Sequence, residues 1–304
     1  MSQNLSKVVI AGGTGLVGRS LIEALVARGT RVDVLTRNPH VSLPSGALAL
    51  GWDALPSALD GADAVINLAG EGIADKRWNA VRKAAILSSR VDTTRRLVEA
   101  MAQASSGPKV LVNASAMGYY GAHGGEVVDE SAPKGKGFLP DVCAAWEREA
   151  DRATAAGLRV VKLRIGVVLA QEGGALPKMA LPVKLFNGAK LGHGQQGLSW
   201  IHIQDLVAML IQAASDPTWE GVYNATAPKP VTNETFTRIL GNVLRRPILP
   251  VPGFVTATVL PLLVGEMAAP MLLQGAFVYP RRAEHQGFTF RFPDALNAVQ
   301  DLLA

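Results

Sequence analysis

Apolar residues along the first half of the chain fall into short β-branched runs separated by stretches with apolar positions at helical spacing. The runs at 7–11, 31–36, 47–52, 64–68, 109–114 and 159–164 read as strands. Between them, 16–28 carries Leu21, Ile22, Leu25 and Val26 on one helical face and stops at Gly29. A small helix ends near Asp60-Gly61, residues 77–104 form a long helical pattern free of internal Gly or Pro, and a further helix is read from about 139 to 156. Strand and helix in strict alternation build a parallel sheet covered by helices on both faces.

After Gly166 the alternation falters, broken by Gly173, Gly174, Gly188, Gly192, Gly194 and Gly197. The expected organisation is a domain over 1–165, completed by about 200–225, with 166–199 and 226–304 forming a smaller C-terminal region that holds substrate. Residues 248–272 are strongly apolar but interrupted by Pro250, Pro252, Gly253, Pro261, Gly265, Glu266 and Pro270. A spanning helix needs roughly 20 uninterrupted apolar residues, so buried or partner-facing helices are expected there, with a membrane tether as the lesser reading. The N-terminal apolar run, 8–11, is too short for a signal-peptide core.

Of 304 residues, 48% are hydrophobic and 18% charged, enough to bury a sizeable core and unlike a disordered chain. The net charge of +5 is spread without a Lys/Arg run longer than a pair, which argues against a nucleic-acid partner. A lone cysteine, Cys143, excludes an internal disulfide and suits a reducing compartment such as the cytoplasm. The histidines at 40, 123, 193, 202 and 285 lack ligand spacing, so no metal site is expected.

Gly12-Gly13-Thr14-Gly15-Leu16-Val17-Gly18 lies between the first strand and the first helix. There Gly12, Gly15 and Gly18 would give a tight turn, a bare approach for pyrophosphate and close packing of helix on strand, with Thr14, Leu16 and Val17 supplying backbone N–H groups. The expected fold class is therefore α/β: a Rossmann doubly wound parallel sheet with a smaller C-terminal substrate region. The second strand ends in Val34-Leu35-Thr36-Arg37, without the carboxylate that accepts from a ribose 2′-hydroxyl. Arg37, beside Thr36, can pair a 2′-phosphate, so NADP(H) is expected in preference to NAD(H), the plain alternative being a solvated loop charge.

With these pieces placed, residues 7–225 resemble the extended short-chain dehydrogenase/reductase superfamily. Gly12, Gly15 and Gly18 match its pyrophosphate motif, Asp53 the acid after the third strand that meets the adenine, and Asn67-Leu68-Ala69-Gly70 the segment ending the fourth strand. A narrower resemblance, nearly end to end, is to the atypical epimerase-like branch called the cell-division-inhibitor-like (SulA-named) or nucleoside-diphosphate-sugar epimerase family. It rests on Arg77-Trp78, Lys83, Ser89-Arg90, Ser115-Ala116-Met117-Gly118-Tyr119-Tyr120-Gly121, Trp146-Glu147 and Ser199-Trp200-Ile201-His202, then Gly265-Glu266-Met267 and Gly287-Phe288.

The superfamily resemblance implies a tyrosine, a lysine four residues later, and a Ser or Thr hydroxyl that holds the substrate oxygen. Here Val142 and Trp146 occupy the places of the pair, and Ala116 that of the hydroxyl, with Ser115 one residue early. The candidate replacements are Ser115, Tyr119 and Tyr120, Tyr120 being also the family's structural tyrosine before glycine. Lys83, Glu130 and Glu147 are further charged candidates that more often cap or pair on a surface, and His202, with Trp200, is either a pocket residue or a packed side chain. The reading is an NADP(H)-binding oxidoreductase or epimerase for a small hydroxyl- or carbonyl-bearing substrate, nucleotide-sugar-like compounds included. The rival is a non-catalytic dinucleotide-sensing regulator. Neither nucleic acid nor membrane is an expected partner, and the long helix and apolar C-terminal stretch leave room for a homodimer.

Overall fold

The computed structural model describes residues 3–304. In its first half the chain runs β1 (Lys7–Ala11), α1 (Leu16–Val26), β2 (Arg31–Leu35), β3 (Ala47–Leu50), α2 (Leu55–Leu59), β4 (Ala64–Asn67), α3 (Ala80–Gln103), β5 (Val110–Ala116), β6 (Val127–Val128) and α4 (Phe138–Asp151). It continues through β7 (Arg159–Ile165), β8 (Val167–Leu169), α5 (Leu176–Lys184), β9 (Gly197–Leu198), β10 (Trp200–His202), α6 (Ile203–Ser215) and β11 (Gly221–Ala225). Last come β12 (Val231–Thr232), α7 (Asn233–Leu244), α8 (Gly253–Val264), β13 (Phe277–Val278), α9 (Arg281–His285) and α10 (Ala295–Leu303).

Seven strands form one sheet in the order β11-β7-β5-β4-β1-β2-β3, every pairing parallel. The alternating side chains of β1 show how the layers arise. Val8 and Ile10 join Leu21, Ile22 and Leu25 of α1 and Leu206 and Leu210 of α6 on one face. Val9 and Ala11 join Leu59, Leu97, Val98 and Met101 from α2 and α3 on the other. A strand buried on both faces reads as a continuous apolar run, which is why β1 and β4 were legible. A third core, around Leu176, Trp200, Phe236, Leu240 and Val299, builds the smaller region from α5, α7 and α10.

Several boundaries differ from the expected ones. β5 extends to Ala116 and carries Ser115 within the strand. The long helix begins at Ala80, because the Asn79 side chain caps it by accepting from the Arg82 N–H at 2.7 Å. β11 and α6 were not anticipated: Gly-Val-Tyr-Asn-Ala has one β-branched residue and a buried polar one, Asn224. The outer edge of β11 is tied off by side chains. Glu130 accepts from the Asn224 N–H at 2.9 Å, and Arg282 donates to the carbonyls of Val222 and Glu220 at 2.7 and 2.8 Å. Within 248–272, α8 leaves Phe254 and Leu262 exposed. Among the described residues no helix is long and apolar enough to cross a membrane, and no group of His, Cys, Asp and Glu could hold a metal ion.

Candidate functional site

The glycines of the β1–α1 turn do separate jobs. Gly12 sits at φ +82°, and a Cβ there would lie 2.6 Å from the Leu68 carbonyl carbon. A Cβ on Gly18 would fall 2.5 Å from the Gly13 Cα, so bareness at this position lets α1 close onto the strand. Gly15 differs: a Cβ would touch only the Gly12 oxygen, at an ordinary 3.6 Å, leaving its outer face open. As N-cap of α1 it brings no side-chain cap, and the first turn holds no acid. The N–H groups opening α1 are thus left to a ligand, at the positive end of the helix, and this donor set fits a pyrophosphate. Thr14 is exposed, while Leu16 and Val17 are half-buried behind it.

To one side lie the ends of β2 and β3. The Thr36 hydroxyl folds back on Asn38, accepting from its N–H at 3.2 Å. Arg37 projects into solvent, its side chain 88% exposed, and its ion pair is a loose one to Glu71 at 3.7 Å. Asp53 is exposed on the single turn after β3. To the other side, buried Asn67 holds the 68–70 segment in place. Its Nδ2 donates to Asn113 Oδ1 at 2.7 Å and Thr94 Oγ1 at 2.9 Å, and its Oδ1 accepts from the Ala69 N–H. Leu68 donates to Ala11, and Gly70 packs against the Arg90 guanidinium. The expected contact residues thus line both sides of the sheet's switch point, where the order reverses about β1.

Beyond β4 and β5 the structure replaces the missing pair with a buried network. Val142 and Trp146 are core residues, and the Trp146 indole donates to Thr94 Oγ1 at 3.0 Å. Arg164, near the end of β7, grips Glu147 with two bonds, Nε to Oε1 at 2.8 Å and Nη2 to Oε2 at 2.9 Å. Ser115 donates to the same carboxylate at 2.7 Å. Arg164 Nη1 donates to the Tyr120 hydroxyl at 3.0 Å, and that hydroxyl donates to Asn224 at 2.7 Å. Tyr120 is fully buried, and burial pushes its phenol up to about 12, so its proton is committed to the frame. Burial also opposes the charge of Arg164, but the bonds and charge of Glu147 outweigh it and raise the guanidinium above its ordinary range. Tyr119 is half-buried with its ring face 3.4 Å from the Arg164 Cζ, so of the three catalytic candidates only Tyr119 has a hydroxyl outside this network.

The remaining candidates serve the frame. Glu130 ties down β11, and burial raises its carboxyl above the usual range. Lys83 pairs with Glu266 and lies 5.6 Å from the Phe138 ring centroid, joining α3 to the C-terminal region. His202 caps α6, accepting from the Gln204 N–H at 3.2 Å, and stacks on Phe292. Cys143 is buried, which pushes its thiol up to about 11. Sequence reasoning missed Arg164 and Asn224. The signal for Arg164 was present as a charge, with Lys162, inside the otherwise apolar run of β7, where a buried strand tolerates one only with a partner.

Residues 8–225 match the family model described as the NAD dependent epimerase/dehydratase family. The chain belongs to that family. Residues 251–302 match a second model, a domain of unknown function, DUF1731. Members similar to this chain include an Arabidopsis thaliana protein named "Epimerase family protein SDR39U1 homolog, chloroplastic", 40% identical over 306 residues, covering 96% of this chain and 86% of the relative. The human epimerase family protein SDR39U1 is 36% identical over 303 residues, covering 98% of this chain and all of the relative. A crystal structure of human SDR39U1 (isoform 2) with NADPH superposes with a TM-score of 0.87 at 34% identity, covering 98% of this family member and 99% of that chain.

Proposed function

We propose that the protein binds NADP(H) and is an oxidoreductase or epimerase for a small substrate bearing a hydroxyl or carbonyl group. The observation that carries this reading is the open, acid-free N-terminus of α1 over Gly15, flanked by the exposed Arg37 where an NAD-selective site would place a carboxylate. The NADPH named for the human relative's structure supports the same cofactor. When bound, NADP(H) supplies hydride transfer. The chain's own part is to hold the substrate between the sheet and the smaller region. Tyr119 is the group that gives or takes the proton at the reacting oxygen, with Tyr120, and Ser115 through Glu147, fixing the Arg164 guanidinium against its ring.

One observation favours a non-catalytic dinucleotide sensor. The places of the family's acid–base pair hold Val142 and Trp146, both buried. Titration with NADPH and NADH, followed by nicotinamide fluorescence, tests the shared premise. NADPH is expected to bind more tightly, and Arg37→Asp is expected to weaken it by about tenfold or more, one charge-assisted contact having become a repulsion. Binding of neither nucleotide overturns the reading. Turnover of a screened substrate lost in Tyr119→Phe separates enzyme from sensor.

A further inference from the structure

The crevice lacks the lysine whose ammonium would stand beside the cofactor, because Trp146 fills that position and turns its indole to Thr94. A cation nevertheless reaches the same place from the neighbouring helix. Arg90, on α3, lies with its Cζ 5.1 Å from the centroid of the Trp146 ring. Its Nη1 is anchored by donation to the carbonyls of Glu71 at 3.1 Å and Ile86 at 2.9 Å. The other edge of the fork, Nε and Nη2, donates to no described residue. Gly70 covers a face of the guanidinium, where a Cβ would lie 2.9 Å from Cζ, so only a residue without a side chain lets the guanidinium pack flat at the end of β4 and leave its Nε–Nη2 edge unpartnered.

No carboxylate stands within ion-pair distance of Arg90 among the described residues, and burial lowers its pKa. A partly desolvated guanidinium with one anchored nitrogen and two unpartnered ones is an incomplete arrangement. It is completed by ligand oxygens presented side by side, the geometry that a guanidinium fork matches. Its place identifies them. In a dinucleotide fold the two mononucleotide halves lie on opposite sides of the switch point. Arg37 and Asp53 lie on the β2–β3 side, and Arg90 lies beyond β4 with Trp146, on the side of the nicotinamide half.

We propose that Arg90, held flat on Trp146, is the fixed cation at the nicotinamide end of the crevice, and that its free Nε–Nη2 edge holds the ribose oxygens of that half of NADP(H). This rests on the NADP(H) reading above. A guanidinium does not release its proton, so Arg90 positions the cofactor and leaves proton transfer to another group.

The test compares the whole cofactor with its adenine half in Arg90→Gln and Arg90→Lys of the full chain. NADPH affinity is read by nicotinamide fluorescence and adenosine 2′,5′-bisphosphate affinity by calorimetry. Arg90→Gln is expected to weaken NADPH about tenfold, the size of one charge-assisted contact, with the half-ligand unchanged. Arg90→Lys is expected to fall between, keeping the charge and losing the fork. Unchanged NADPH binding overturns the proposal, since the free edge then serves something else. Parallel loss of both ligands overturns it too, because Arg90 would then only brace the 70–72 loop. A wild-type chain that binds no NADPH sinks the cofactor reading itself, whereas wild-type binding that survives Arg90→Gln sinks only this inference.

Discussion

Glu147 and Arg164 meet in the interior with side-chain exposures of 7% and 4%, and both carboxylate oxygens are engaged. Bringing two charges out of water costs several kcal/mol each, recovered only while every lone pair and N–H finds a partner. Ser115 and Tyr120 provide the remaining partners here. Removing one member leaves the other charged and alone, so Glu147→Ala is expected to lower unfolding stability by about 3–5 kcal/mol in urea titration. The double variant Glu147→Leu/Arg164→Met is expected to lie closer to wild type than either single change, since no lone charge remains. Ser115, Tyr120 and Glu147 stood out in the sequence; Arg164, Asn224 and the pairing did not. Glu147 read as a carboxylate near a glycine-rich loop, and nothing in spacing along the chain tells that a side chain 17 residues later, on another element, closes on it.

At the scale of elements, the β1–α1 turn separates what glycine does for folding from what it does for the ligand. Gly15 has room for a methyl group and an ordinary backbone conformation, φ −79°, whereas Gly12 has neither. Gly15→Ala is therefore expected to melt within a degree or two of wild type, about the effect of a strain-free surface change, yet to lose NADPH binding, because the methyl occupies the open face. Gly12→Ala is expected to lose both, and melting curves beside nicotinamide fluorescence distinguish the two. A turn whose glycines are set by the absence of atoms is readable in sequence, which is why the glycine turn was placed between β1 and α1. β1 and β4 were equally plain, being apolar over 8–11 and 64–66. β11 was not, because its Tyr223 and Asn224 are buried through partners that come from elsewhere in the chain.

Over the whole molecule, stability depends on pH through a group far from the crevice. His202 is fully buried between α6 and α10, and burial holds its imidazole below the ordinary value, outweighing Asp301 at 3.3 Å and Asp205, with Arg291 reinforcing burial. The unfolded chain therefore takes up this proton first as pH falls. The contribution of His202 is complete above the unfolded pKa of about 6.5 and is lost progressively below it. Wild type is expected to lose more melting temperature between pH 7 and pH 5 than His202→Asn, which keeps the cap and removes the titration. Equal losses in both would contradict this.

The sheet order also sets a timetable for synthesis. Leaving the ribosome, the chain lays β1, β2 and β3 outward in one direction, then returns across β1 and adds β4, β5, β7 and β11 in the other. Each arriving strand docks on the rim left by its predecessor, so a single growing margin is presented on that side. The margin is sealed last: Val222 waits for Arg282, 60 residues downstream, before its carbonyl is covered. Until that arginine emerges, the nascent molecule carries an open strand edge to which a second copy can pair, and co-translational aggregation would begin there.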